Sequence, residues 1–395
     1  MIQIPPQQKT SPAALEPGRI GSLRLRNRII KTATFEGMSP GGLPAQELID
    51  FHAGIAAGGV ALTTVAYGAV EAVGRTFGDQ LLIDKNSKAA LRSLTDAVHQ
   101  QGGAAAIQLA HCGGFSKNHA PAGPSAGWNP YGLMKGYGRI RAMNEQDFER
   151  VCQAFARATL ISKEAGFDAV ELHLGHGYML SQFLSPIFNT RRDDYGGTLD
   201  NRLRLPVRVL RHIRAAVGSD YPILVKMNLA DGMRAGLQID EAVRVAQAMQ
   251  SEGADALVPS GGLVQRNAFY LLRGDVPVAD MVDVEPNPLQ KIGMSMFAPF
   301  FMKAWSYQET FFYDDACKVL EAVDIPVALL GGVSSAKSIQ KAMDKGFEFV
   351  AMGRALLSDP DFVERLSAGE DLIARCDHCN KCVAEMDRGG VRCVL

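Results

Sequence analysis

The sequence predicts an α/β fold, a (β/α)8 TIM barrel, on three observations. Eight short apolar runs rich in β-branched residues recur along the chain, and helix-period segments lie between them. The polar and glycine positions that break the pattern fall at the C-terminal ends of the runs. Continuous apolar runs suit strands buried on both faces of a parallel sheet. An open doubly wound sheet is the rival architecture, but none of the runs is followed by G-x-G-x-x-G.

Taken in order, the chain opens with a lead-in, residues 1–22, rich in Pro, Gln and Ser. It lacks a charged segment followed by an apolar one, so no secretion signal is expected and a cytoplasmic location follows by default. The barrel is expected over 23–370 and a cysteine-rich tail over 371–395. The eight runs are Ile29–Thr34, Val60–Ala66, Ala104–Ala110, Asp168–His173, Pro222–Asn228, Asp255–Ser260, Pro326–Gly332 and Phe347–Gly353. Between the third and fourth, Phe148, Val151, Cys152, Phe155 and Ala158 recur at helical spacing. Asn144 with Asp147 forms a capping-box pattern at the start, and Gly166 suits the end. "IDEAVRVAQAMQSEGA" repeats the design, with Asp240 as the expected cap and Gly253 as the stop.

A long insertion, about 261–310, separates the sixth and seventh runs and carries "MFAPFFMKAWSY". A connection of that length reads as a lid or binding loop, as a helical interface in a homo-oligomer, or as a packing insert. Of the 395 residues, 47% are apolar and 21% charged, a soluble globular balance. The net charge of −1 gives no basic surface for nucleic acid or an anionic membrane. No apolar run approaches the roughly 20 residues that span a bilayer.

Active sites of such barrels lie at the C-terminal ends of the strands. "ELHLGHGYML" places His173, His176 and Tyr178 at the end of the fourth run. Gln108 ends the third, Lys226 and Asn228 the fifth, Gly331 and Gly332 the seventh, and Gly353 with Arg354 the eighth. Glycines leading into helices leave backbone N–H groups free to grip a phosphate, and Arg354 adds a cation. A tight turn with a surface arginine is the plainer reading. From the residues alone, the His-x-x-His pair fits a satisfied core position, a metal pair or a catalytic pair equally.

From "LRLRNRIIKTAT" to "GRALLSDPDFVERL", the chain resembles the old yellow enzyme family of FMN-dependent ene-reductases, especially its 2,4-dienoyl-CoA reductase branch. The likeness is carried by "IQLAHCGG", "DAVELHLGHGYMLSQFLSPIFNTRRDDYGGTLDNRLR" and "VAMGRALLSDP". It implies an FMN enzyme that takes electrons from NAD(P)H and reduces a small molecule with an activated C=C bond, an enone or enoyl thioester. Ala33, Thr34 and Tyr67 would line the flavin, Gln108 would meet its pyrimidine edge, and Lys226 would supply a cation beside it. Gly331, Gly332, Gly353 and Arg354 would hold the phosphate. His173 and His176 would bind the substrate carbonyl oxygen, and Tyr178 would protonate the α-carbon. Phe35 and Tyr67 depart from the family pattern, being bulkier than the residues common there.

Four of the seven cysteines, Cys376, Cys379, Cys382 and Cys393, fall in the last twenty residues with spacing C-x2-C-x2-C-x10-C. Four thiolates suit a 4Fe–4S cluster or tetrahedral zinc, and an unmetallated remnant is the third reading. The resemblance favours the cluster, because the branch has a similar tail with slightly longer gaps. There the cluster relays electrons from a FAD-bearing C-terminal half. The present sequence stops at Leu395, so a relay here would call for a separate reductase partner. Three rivals stand beside the ene-reductase: a flavin dehydrogenase acting on amines, an electron-accepting subunit, and a flavin-free barrel isomerase or aldolase.

Overall fold

The computed structural model describes residues 13–117 and 119–395, so the first twelve residues of the lead-in lie outside the described residues. The barrel strands are β1 (Ile29–Lys31), β2 (Leu62–Ala69), β3 (Ala104–Ala110), β4 (Ala169–Leu174), β5 (Ile223–Asn228), β6 (Ala256–Ser260), β7 (Ala328–Leu330) and β8 (Phe349–Met352). They form one parallel sheet in the order β6-β5-β4-β3-β2-β1-β8-β7. A parallel bridge between Leu257 and Val327, with Leu257 N–H donating to the Pro326 carbonyl at 2.9 Å, brings the two edges together. The TIM barrel expected from the sequence is therefore the fold.

Each expected run holds a strand, and the departures have local causes. β3 keeps the expected bounds. β7 stops two residues short because Gly331 and Gly332 adopt φ of 102° and 81°, values a pleated strand does not allow. β1 ends at Lys31, a fully buried cation whose partners lie off the strand. β2 runs on to Ala69 through a register shift between Val65 and Gly68.

The helix Glu145–Glu164 starts on the expected capping box: Asp147 N–H donates to Asn144 Oδ1 at 3.1 Å, and Asn144 N–H to Asp147 Oδ2 at 2.9 Å. Asp240 is not a cap. Gln238 holds that position, and Asp240 sits in the first turn of Ile239–Ser251, where its charge complements the helix dipole. Gly253, at φ 92°, ends this segment as expected.

Below the barrel, the hairpin Gly18–Ile20/Leu23–Leu25 plugs the floor. Ile20 and Leu25 pack with Leu62, Leu224, Val258 and Phe349, so the end of the lead-in belongs to the core. Above, the insertion forms helices Val264–Leu272, Val278–Val284 and Pro288–Phe301. The tail is sewn onto this roof. Asp275 N–H donates to the His378 carbonyl at 3.1 Å, and Val391 N–H donates to the Glu36 carbonyl at 2.8 Å. Gly274 is required there, because a Cβ would lie 2.2 Å from the His378 carbonyl oxygen. Among the described residues no helix is long and apolar enough to cross a membrane.

Candidate active site

Parallel register brings the expected residues to one rim: Lys226 lies opposite His173, Gln108 opposite Glu171, and Asn228 opposite Ser260. The chain leaves β4 through Gly175-His176-Gly177. His176 takes φ 60°, a left-handed value rare outside glycine. Asn228 holds it there, its Oδ1 accepting from His176 N–H at 3.0 Å. A Cβ at Gly175 would sit 2.9 Å from that same oxygen, which explains the glycine. The turn gathers three rings, with His173 5.0 Å from His176 and 4.7 Å from Tyr178 between centroids.

Each ring has a distinct environment. His176 Nε2 lies 2.7 Å from Ser260 Oγ. His173 is 3% exposed, yet neither of its ring nitrogens has a hydrogen-bond partner among the described residues. An unpaired buried polar group costs about 1–3 kcal/mol, so such a ring calls for a ligand. Burial, with the Lys226 cation adding to it, drives His176 down to about 3. Burial, then His176 and Lys226, hold His173 well below the usual imidazole range. Both rings are therefore neutral at physiological pH, each with one N–H to donate. The Tyr178 hydroxyl bonds to the Tyr67 hydroxyl, inside a wall formed by Phe35, Phe77 and Phe115.

Beneath the rings lies a buried polar layer. Lys226 Nζ donates to Thr32 Oγ1 at 2.8 Å and lies 3.2 Å from Glu171 Oε1, which also accepts from Gln108 Nε2 at 2.6 Å. Burial lowers the Lys226 ammonium while Glu171 pulls it back up. Glu171 escapes the sequence reading, although a carboxylate inside an apolar strand two residues before His173 was a usable signal. A second charged cluster is missed in the same way. Lys31 Nζ lies 2.8 Å from Glu36 Oε1, which is 3.5 Å from His52 Nε2, and His52 Nδ1 meets Thr63 Oγ1 at 2.7 Å.

Ala33, Thr34, Lys226, Gly331, Gly332, Gly353 and Arg354 all line one cavity of about 110 Å³, which His176 also borders. Tyr67 and Gln108 lie outside its lining, in the aromatic wall and the polar layer. A larger surface depression of about 500 Å³, between Tyr313, Lys337 and Lys345, includes none of these groups. Two features fit the cavity to a bound flavin nucleotide. Thr34 Oγ1 is buried without a partner among the described residues. Gly353 leaves open a spot where a Cβ would meet Thr32 Cγ2 at 3.3 Å. The roof comes from Tyr307 and Phe311 of the segment leading back to the barrel and His378 of the tail, with Tyr307 stacked on His378 at 3.3 Å. The expected phosphate residues are partly committed to that roof. Arg354 donates to the carbonyls of Leu272 and Arg273 and to Asn380 Oδ1. A Cβ at Gly331 would meet Phe312 Cδ2 at 2.5 Å.

The four tail cysteines are half-buried free thiols, and Cys376 Sγ lies 3.6 Å from His378 Nδ1. Among the described residues no three His, Cys, Asp or Glu side chains converge to hold a metal ion. The four thiols nonetheless lie near enough to act on one another electrostatically, Cys382 with Cys376, Cys379 and Cys393, and Cys376 with Cys393.

Comparison with known proteins gives four findings. The model of the NADH:flavin oxidoreductase / NADH oxidase family matches residues 14–268. The chain is 40% identical over 390 residues to the 4,4'-dithiodibutanoate disulfide reductase of Rhodococcus erythropolis, covering 98% of this chain and 95% of that one. It is 30% identical over 379 residues to the NADH oxidase of Thermoanaerobacter brockii, of which it covers 53%. It therefore spans nearly the whole of the first relative and about half of the second. Among solved structures, an old yellow enzyme homologue from Zymomonas mobilis superposes with a TM-score of 0.72 at 20% identity, over 93% of this chain and 96% of that one. At that identity the likeness concerns the fold.

Proposed function

The chain belongs to the NADH:flavin oxidoreductase / NADH oxidase family, and from that premise we propose that it is an FMN-dependent enzyme that reduces an activated C=C bond, in an enone or enoyl thioester, with electrons from NAD(P)H. The observation that carries this reading is the unpartnered, buried His173 imidazole beside neutral His176 and the buried Tyr178 phenol. Ala33, Thr34, Lys226, Gly331, Gly332, Gly353 and Arg354 would hold FMN, with Tyr67 and Gln108 at its margin. When bound, FMN supplies hydride transfer.

The chain's own groups do the rest. His173 donates an N–H to the substrate carbonyl oxygen, where negative charge gathers as the C=C bond is reduced. Ser260 donates to His176 Nε2, leaving the proton of that neutral ring on Nδ1, free for the same oxygen. Tyr178 holds the proton destined for the α-carbon, and the aromatic wall keeps water from competing. Lys226 places a fixed cation in the floor of the site.

Purified protein should be yellow, bleach with NAD(P)H, and recover its colour with an enone. Tyr178→Phe should retain the bleaching while recovery with enone slows by about 100-fold or more, the usual scale of general acid catalysis. Recovery at the unaltered rate would remove Tyr178 as the proton donor.

A second reading, disulfide reduction, is favoured by the Rhodococcus erythropolis relative, which this chain matches along nearly its whole length. Hydride addition to one sulfur breaks the S–S bond and releases the other as a thiolate. A thiol of pKa about 8.5 is a stronger acid than a phenol of about 10, so that thiolate needs no proton from Tyr178. Tyr178→Phe therefore separates the two: a disulfide reductase keeps its rate with a dithio acid, whereas an ene-reductase loses its rate with the enone. Iron, zinc and sulfide analysis of anaerobically prepared protein decides whether the tail cysteines hold a cluster, zinc or neither.

A further inference from the structure

We propose that Tyr67 is a positioning residue for Tyr178: its hydroxyl donates to the Tyr178 oxygen and stabilises the charge left there once Tyr178 has given up its proton. Tyr67 lies in β2 and Tyr178 beyond the end of β4, 111 positions apart in sequence, yet their hydroxyls are hydrogen-bonded to each other. Their rings meet edge-on at 4.9 Å, and the side chains are only 5% and 3% exposed. A phenolate made in so dry a place is costly unless a donor faces it. Tyr67 is that donor, and the Thr76 hydroxyl is a third group in the same network, in side-chain contact with both phenols.

Tyr67 is held for this task from several sides. Ala66 N–H donates to Glu36 Oε2 at 2.9 Å, and the Tyr67 carbonyl accepts from Gln80 Nε2 at 3.4 Å. Phe35 packs against its ring at 5.2 Å. On the other side, Tyr178 N–H donates to the Gly175 carbonyl at 3.2 Å, tying the phenol to the turn that carries His176. The pair is also electrically asymmetric. Burial pushes both phenols up, but the mutual hydrogen bond works against that rise at Tyr178 and adds to it at Tyr67. The proton that leaves is therefore Tyr178's, and Tyr67 keeps its own.

In the reaction, the Tyr178 O–H bond breaks as a C–H bond forms at the α-carbon. The hydride that completes the reduction derives from NAD(P)H, and a solvent proton later restores Tyr178. This role rests on the ene-reductase reading, whereas the coupling of the two phenols does not. The test uses holoenzyme labelled with fluorotyrosine, the Tyr178 fluorine resonance being assigned by its loss in Tyr178→Phe. In Tyr67→Phe that resonance should shift. The ratio of enone recovery to NAD(P)H bleaching should fall about ten-fold or more, the scale of one hydrogen bond to a charged group, with a larger solvent deuterium isotope effect. An unmoved resonance overturns the proposal. So does an unchanged ratio in Tyr67→Phe when Tyr178→Phe has lost recovery. If no enone restores the unaltered protein, the ene-reductase reading fails separately, and the fluorine shift alone decides whether the phenols are coupled.

Discussion

Ser260 shows how a single hydroxyl can set the chemistry of a neighbour. Its Oγ lies 2.7 Å from His176 Nε2, and its own strand position puts it level with Asn228, which fixes the His176 backbone. Removing the hydroxyl leaves the ring free to turn and to exchange tautomers. Ser260→Ala should therefore lower kcat/KM for an enone about ten-fold, a loss typical of one orienting hydrogen bond of about 1–1.5 kcal/mol. The measurement is steady-state kinetics, and a kcat/KM equal to that of the unaltered protein would show that Ser260 does not orient His176. His173, His176, Tyr178 and Lys226 were legible because polar residues ending an apolar run stand out. Ser260, Glu171 and Glu36 were not, because their meaning lies in partners dozens of positions away that only the barrel register supplies.

The segment from β1 to the helix Gln46–Ala57 makes the same point for an element. Glu36 receives Lys31 at 2.8 Å and the Ala66 amide at 2.9 Å and has the His52 ring at 3.5 Å, and the side chains of Lys31, Glu36 and His52 are all essentially inaccessible. One carboxylate thus ties β1, β2 and the first helix together below Tyr67. Taking away one partner of a buried ion pair strands the other and costs about 3–5 kcal/mol. Glu36→Gln should lose that much in denaturant unfolding with little change in m-value, while an exposed control such as Glu47→Gln should stay within about 0.5 kcal/mol. A loss below about 1 kcal/mol would mean that water reaches Lys31. Strand positions were legible in this region from apolar runs, but β1 ended early because Lys31 turns inward to this carboxylate. Asp240 misled for a different reason: an acidic residue is equally at home in the cap and in the first turn, and only the backbone distinguishes them.

For the whole molecule, the site's neutral histidines couple function to acid stability. His52, His173 and His176 are buried, and in each case burial is the largest cause of a pKa below the ordinary imidazole value. The unfolded chain, whose histidines titrate near about 6.5, binds more protons than the folded one below that pH. The stability these groups allow is thus complete above about pH 6.5 and is lost as the pH falls. For His176 the loss continues down to about 3. Each such group contributes up to about 1.4 kcal/mol per pH unit, so His173 and His176 together give a slope of up to about 3 kcal/mol per unit near pH 5, with His52 acting in the same direction. Glu71, held down at about 2 chiefly by its bonds to His111 and Arg150 against the opposing effect of burial, adds to the loss at lower pH. The unfolding free energy should therefore fall steeply between pH 6.5 and pH 5, well before the carboxylates titrate. His176→Gln removes one proton from that uptake and should flatten the slope by about 1.4 kcal/mol per unit. Denaturant melts at closely spaced pH values measure both slopes. A slope unchanged by His176→Gln would mean that the ring is already charged in the fold, and a charged His176 could not share Ser260's proton as the proposed carbonyl site requires.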